Sequence, residues 1–187
     1  MKSKTYDLVV EAVGAALIAV GAMISLTVMA VPFTFQTLAI FAVLMSIGGK
    51  RGTISLICYL LMGIVGVPVF SGFKGGISVI LGPTGGFLIG FVFMAVIYWI
   101  LADHVLKADE KTTRIRIAYK ALAAVAGEIV MYAFGVVWFI TVYAAQTGPV
   151  GIASALSWCV IPFIIPDIIK ICAAAAVSET CIRVIKK

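Results

Sequence analysis

The segment Gly66-Val67-Pro68-Val69-Phe70-Ser71-Gly72-Phe73-Lys74-Gly75-Gly76-Ile77-Ser78-Val79-Ile80-Leu81-Gly82-Pro83-Thr84-Gly85-Gly86-Phe87-Leu88-Ile89-Gly90 is dense in glycine and proline, yet it lies between runs apolar enough to cross a bilayer. Irregular backbone of this kind cannot face lipid tails, because no water is there to satisfy its amides. It persists only where it packs against protein or lines a polar cavity. The segment is therefore expected at membrane depth or just outside it, and it is the first place to look for a ligand.

The runs around it carry the same message. With 63% hydrophobic and 12% charged residues in 187, and a mean hydropathy of +1.20, the chain is too apolar for a soluble globule. Residues 12–49, 52–73, 75–102 and 129–166 contain no charge. A spanning helix needs about 20 apolar residues. Pro32 divides the first of these runs and Gln146 to Gly151 the last, so the pattern predicts six helices, roughly 7–29, 34–48, 52–66, 83–102, 118–144 and 157–183, in one transmembrane domain over 1–187. The third is short. No removable signal peptide is expected, since Asp7 and Glu11 interrupt the apolar entry.

The net charge of +6 could suggest nucleic acid, but its distribution points to the membrane. With the N-terminus inside, Lys2, Lys4, Lys50, Arg51, Lys107, Lys111, Arg114, Arg116, Lys120, Arg183, Lys186 and Lys187 all fall on the inner side, leaving only Lys74 outside and Lys170 within a span. This is the positive-inside pattern with both termini cytoplasmic. The polar stretch 103–120 reads as a solvated inner linker. It holds the sole histidine, His104, in a place unsuited to catalysis or metal binding. Cys58, Cys159, Cys172 and Cys181 lie in apolar segments without C-x-x-C spacing and read as small buried hydrophobes, so no metal or disulfide framework is expected. Gly48-Gly49-Lys50-Arg51-Gly52 is not a phosphate loop, because Leu44 stands where the first glycine belongs and Arg51 where serine or threonine does.

Within the spans, polar and small residues mark the candidate sites. Ala12/Ala16 and Ala15/Ala19 form two overlapping small-xxx-small pairs on the first helix, a face for close helix packing either inside the molecule or against a partner. Thr34 can cap the second helix, and Gln36 just after it is a ligand contact or an interhelical hydrogen bond. Gly72, Gly75 and Gly76 free backbone N–H groups for a ligand oxygen, and Gly82, Gly86 and Gly90 form a flat ridge for a neighbour or a flat ligand. Tyr132, Trp138, Phe139 and Tyr143 run toward the outer end and combine an interfacial belt, the commoner explanation, with candidate pocket lining. Glu128 lies about 12 Å from the basic linker at roughly 1.5 Å per residue, and its role stays open.

The last helix is the most telling. Asp167 and Lys170 are three apart and share a face, and Pro166 can occupy the first helical turn and place Asp167 near a positive helix end. Charges at membrane depth cost about 2.5–3.5 kcal/mol each and by default belong to a pathway or ligand. An aspartate that accepts two N–H groups and an ammonium that donates to a carbonyl suit a cyclic urea or amide.

Val31-Pro32-Phe33-Thr34-Phe35-Gln36-Thr37, Gly66-Val67-Pro68-Val69-Phe70, Leu81-Gly82-Pro83-Thr84-Gly85-Gly86-Phe87 and Pro166-Asp167-Ile168-Ile169-Lys170, in this order, resemble the BioY family, the biotin-binding S component of energy-coupling factor (ECF) transporters. The resemblance implies an all-α, six-helix S-component fold in the prokaryotic cell membrane. It also implies a biotin pocket near the extracellular face, capped by the loops joining helices 1 to 2 and 3 to 4. The implied partners are a transmembrane coupling protein docking on the Ala12/Ala16 or Ala15/Ala19 face and two cytoplasmic ATPases. Biotin is then the transported ligand rather than a cofactor. Under this resemblance Asp167 accepts the ureido N–H groups, Lys170 and Gln36 donate to biotin oxygens, Gly75, Gly76 and Ser78 hold ligand oxygen, and Phe70, Phe73 and Phe87 form apolar walls. Two rivals stand beside it: an S component for another vitamin, and an ion-coupled secondary transporter using Asp167 and Glu128 as relay acids. An enzyme is the weakest reading, since no nucleophile–base pair or metal cluster is apparent.

Overall fold

The computed structural model describes residues 4–26 and 31–185. Its helices are α1 (Lys4–Met23), α2 (Gln36–Ile47), α3 (Gly49–Ile64), the short α4 (Ile77–Leu81), α5 (Gly85–Trp99), α6 (Thr113–Thr147), α7 (Ile152–Cys159) and α8 (Ile161–Ile185). Strands β1 (Ser25–Leu26) and β2 (Phe33–Thr34) pair antiparallel between α1 and α2. Four elements are long and apolar enough to cross a membrane: Lys4–Met23, Gly85–Val105, Thr113–Ala145 and Ile152–Cys181. The second and third helices expected from the sequence fall short of about 20 residues, with 12 in α2 and 16 in α3.

The first helix ends earlier than expected. It stops at Met23 because the chain turns into the β1–β2 hairpin, whose pairing sets Ser25 opposite Thr34 and Leu26 opposite Phe33. The remaining part of the expected helix, 27–29, falls outside the described residues. α1 lays Gly14, Ala15, Ile18, Ala19, Gly21 and Ala22 inward, at the three- and four-residue spacing of one helix face. A Cβ on Gly14 would lie 2.5 Å from Ser55 Oγ and one on Gly21 2.7 Å from Ala39 Cβ, so the glycines let α1 approach α3 and α2.

At one end of the bundle the basic linker proves to be built into the fold. α5 continues through a wider turn, Ile100–Val105, in which the Leu106 N–H reaches the Leu101 carbonyl at 2.8 Å. That turn aims Asp103 at the start of α3, where its Oδ2 accepts the Gly49 N–H at 3.0 Å. Lys120 is 3% exposed; it donates to the Met45 carbonyl at 2.8 Å and pairs with Asp109 at 2.7 Å. Arg116 grips Glu179 of α8 with two nitrogens. The reading of 103–120 as merely solvated is therefore corrected for Asp103, Arg116 and Lys120. Each satisfies a helix end or a buried charge that would otherwise be costly, whereas His104 is exposed.

The other end carries the hairpin, the 66–84 segment and the start of α5. Pro166 lies inside α8, and Asp167 is beyond its first turn, so the expectation that a helix N-terminus supports Asp167 is corrected. The chain instead breaks between α7 and α8, at Val160, where φ is −126° and ψ −57°.

Candidate ligand-binding site

Asp167 and Lys170 are buried, at 3% and 7% exposure. Lys170 Nζ lies 2.8 Å from Asp167 Oδ1 and 2.9 Å from Thr37 Oγ1, and the Thr37 hydroxyl donates to the same Oδ1 at 3.1 Å. On the other side the Tyr132 hydroxyl donates to Asp167 Oδ2. Four side chains from α2, α6 and α8 thus form one polar island in an apolar core. Glu128, one turn before Tyr132 on α6, faces Asp167 from the same side; it is buried, with Oε1 lacking a partner. Phe33 of the hairpin closes the arrangement, with Lys170 Nζ 4.3 Å from its ring centroid and its ring stacked on Phe163 at 6.2 Å.

The island opens onto space. A small cavity of about 50 Å³ is lined by Thr37, Tyr132, Cys159, Phe163, Asp167 and Lys170. A chamber of about 470 Å³ is lined by Gln36, Phe70, Lys74, Ser78 and Thr84 among others. Val31, Pro32, Thr34, Phe87 and Phe91 line both, so the two share a wall made by the hairpin and the first turns of α5. The larger volume falls within the usual range for small-molecule pockets, about 300–1,000 Å³.

Of the residues expected from the sequence, Asp167 and Lys170 line the small cavity, Gln36, Phe70 and Ser78 the chamber, and Phe87 both. Gln36 is 4% exposed and its Nε2 has no hydrogen-bond partner among the described residues, which leaves a donor at the chamber. Its placement follows from Thr34, whose hydroxyl accepts the Gln36 N–H at 3.2 Å at the start of α2. Phe70 is buried against Tyr59, with ring centroids 5.6 Å apart. Phe73, Gly75 and Gly76 line neither cavity. Phe73 is 67% exposed at the tip of a tight loop. Gly75 is pressed against the backbone of Gly66 and Val67, where an added Cβ would lie 2.6 Å from the Val67 carbonyl oxygen. The Gly76 N–H donates to the Gly63 carbonyl at 2.7 Å, which uses up the donor the sequence reading offered to a ligand.

The aromatic run on α6 divides: Tyr132 lines the small cavity, Phe139 is fully buried, and the Trp138 Nε1–H donates to the Gly82 carbonyl at 3.0 Å. In the glycine ridge, Gly86 packs on Trp138 and Gly90 on Met131, while Gly82 lines the chamber. Phe33 and Thr37 stand in the quoted Val31–Thr37 segment but carry no site signal of their own, since phenylalanine and threonine are ordinary in membrane proteins; Tyr132 is legible only as one of four aromatics that could line a pocket.

The two alanine pairs on α1 separate cleanly. Ala15 and Ala19 are buried, at 2% and 7% exposure, whereas Ala12 and Ala16 lie on the exposed face beside Val9, Val13, Leu17 and Val20.

Comparison with known proteins places this geometry. The family model for the BioY family matches residues 1–187. Biotin transporter BioY of Thermotoga maritima is 37% identical over 87% of this chain and 88% of its own length, and the probable biotin transporter BioY of Pyrococcus horikoshii is 35% identical over 96% of each. A crystal structure of the S-component for biotin from an ECF-type ABC transporter superposes with a TM-score of 0.78 at 24% identity, covering 98% of this chain and 93% of that one. The fold is thus the S-component fold, and the chain belongs to the BioY family.

Proposed function

We propose that this protein is the substrate-binding component of a biotin uptake system in the prokaryotic plasma membrane. It captures biotin at the outer face and releases it inward when an ATP-driven partner module acts on it. Six crossings with both termini cytoplasmic put the basic end inside and the chamber end outside, in line with the positive-inside pattern. The observation that carries this reading is the Asp167–Lys170 pair, which is buried at membrane depth and lines a cavity. Relatives bearing the name biotin transporter at 35–37% identity support the choice of vitamin.

In this reading the bicyclic ureido head of biotin meets the island. Asp167 offers acceptor capacity to the ureido N–H groups, and Lys170 donates to the ureido carbonyl. Gln36 Nε2, without a partner among the described residues, is a donor for a ligand oxygen. Phe70 and Phe87 supply apolar wall for the thiophane ring and the side chain. Isothermal titration tests this. The wild type is expected to bind biotin and to reject the ring-opened diamine, because a site built to hydrogen-bond a group discriminates strongly against its loss. Gln36→Met is expected to weaken biotin binding by roughly tenfold, the worth of one buried hydrogen bond. Equal affinity for biotin and the diamine would overturn the reading.

Energy must come from elsewhere, since the chain has no nucleotide-binding loop. The exposed Ala12–Ala16 stripe is the surface we assign to a transmembrane coupling protein, because Ala15 and Ala19 are already occupied by the molecule's own packing. Ala16→Trp is expected to abolish biotin uptake in cells carrying the partner ATPases while leaving binding to the purified protein intact. Uptake at the wild-type rate would exclude this register.

A further inference from the structure

The two spaces, which share Val31, Pro32, Thr34, Phe87 and Phe91 in their lining, differ in charge, and the difference points to how the ligand is oriented. The small cavity holds a carboxylate and an ammonium that offset one another, Asp167 and Lys170. Among the described residues the large chamber is lined by no carboxylate, and Lys74 is its only ionisable lining side chain. Lys74 forms no ion pair among the described residues. Serine and threonine hydroxyls of Ser71, Ser78 and Thr84 line the same chamber.

The backbone fixes Lys74 at that rim. Phe70 and Lys74 exchange hydrogen bonds, Phe70 N–H to the Lys74 carbonyl at 2.9 Å and Lys74 N–H to the Phe70 carbonyl at 3.3 Å. The three residues between them turn through two left-handed positions, Gly72 at φ 72° and Phe73 at φ 56°. A phenylalanine rarely adopts that conformation, so the loop holds a strained geometry that delivers Lys74 to the chamber. The Lys74 stem runs close to Gly72, with Cε 3.8 Å from where a Cβ on that glycine would lie.

We propose that Lys74 is a specificity-determining residue that reads a free carboxylate on the ligand's side chain. The neutral hydrogen-bonding head then lies in the small cavity and the anionic tail in the large chamber. This assignment rests on the biotin reading above and adds to it the ligand's orientation and the chemical group recognised at the rim. A charge-assisted hydrogen bond from an ammonium to a carboxylate is stronger than one between neutral groups, and the hydroxyls nearby supply further donors.

The test compares biotin with its methyl ester and primary amide by isothermal titration against wild type, Lys74→Met and Lys74→Arg, at low and high salt. The wild type is expected to prefer the acid by about tenfold, the range for a hydrogen bond to a charged group. Lys74→Met is expected to bring acid and ester within about twofold of one another, and Lys74→Arg to keep the preference. Because Lys74 is at an exposed rim, high salt should shrink the wild-type preference, a result that needs no variant to fold. A wild type that binds ester as tightly as acid overturns the assignment, as does a Lys74→Met protein that keeps the wild-type ratio. A wild type that binds neither compound overturns the biotin reading itself, and the orientation with it. Tight binding of both with no preference leaves the biotin reading standing and removes Lys74 alone.

Discussion

Asp167→Ala is expected to lower biotin affinity by at least about a hundredfold, since two hydrogen bonds from a charged acceptor are lost at roughly 1.5–3 kcal/mol each. The same change should destabilise the protein by about 3–5 kcal/mol, because it strands Lys170 in the membrane core. Lys170 has no ready escape: it is 7% exposed, and its other contacts are the Thr37 hydroxyl and the Phe33 ring. The Tyr132 hydroxyl loses its acceptor as well. Stability and binding can be separated by adding Lys170→Met. Replacing both members of a buried ion pair with apolar groups is often close to neutral, so the double variant should recover most of the lost stability, measured by thermal unfolding in detergent, and none of the affinity. A double variant that binds like the wild type would show that the pair is structural and that the ligand sits elsewhere.

The second large effect is at the wall shared by the two cavities. α5 packs along α6, and at Gly86 the α5 backbone lies directly against Trp138 of α6. A Cβ at Gly86 would lie 2.2 Å from Trp138 Cβ and 2.4 Å from its Cγ, inside any real contact distance. The indole must therefore move, breaking its hydrogen bond to the Gly82 carbonyl. Overpacking costs about 1–3 kcal/mol and a lost hydrogen bond about 1 more, so Gly86→Leu is expected to destabilise by about 2–4 kcal/mol. It should also weaken binding, since Phe87 lines both cavities. Trp138→Ala in the same chain should relieve part of the penalty, a coupling that a double-mutant cycle reads directly. Gly151→Ala is the control: nothing lies within 4 Å of its added methyl, and its unfolding temperature should match the wild type.

Much of this site could be read before any coordinates. A charge inside an apolar run is rare enough to stand out, so Asp167 and Lys170 were legible, and their i, i+3 spacing already put them on one face. Gln36 was legible because an amide inside an apolar run has donors and an acceptor to satisfy. Thr37 was not, because threonine is not unusual in a membrane helix; Tyr132 was legible as pocket lining but not as a partner of Asp167, since both links to Asp167 bridge distant elements. Glycine-rich backbone was read as ligand-facing, yet Gly75 and Gly76 are spent on a close approach and an internal hydrogen bond. Composition shows that such backbone is unusual but not which way its N–H groups point. Lys120 and Arg116 looked like solvated inner charges because positive-inside counting treats every basic residue alike. Their burial depends on which carbonyl or carboxylate a neighbouring helix brings to them. The α1 alanines show the same limit in a milder form. Two overlapping pairs are equivalent in sequence, and only the helix's rotation against α2 and α3 decides which of them stays free.

The most direct test of the account is a structure of the protein determined with biotin bound. The ureido ring should lie within hydrogen-bonding distance of Asp167 and Lys170, with the Phe33 hairpin over it. A ligand seated wholly in the large chamber, with the Asp167–Lys170–Thr37 contacts unchanged and untouched, would contradict the central claim.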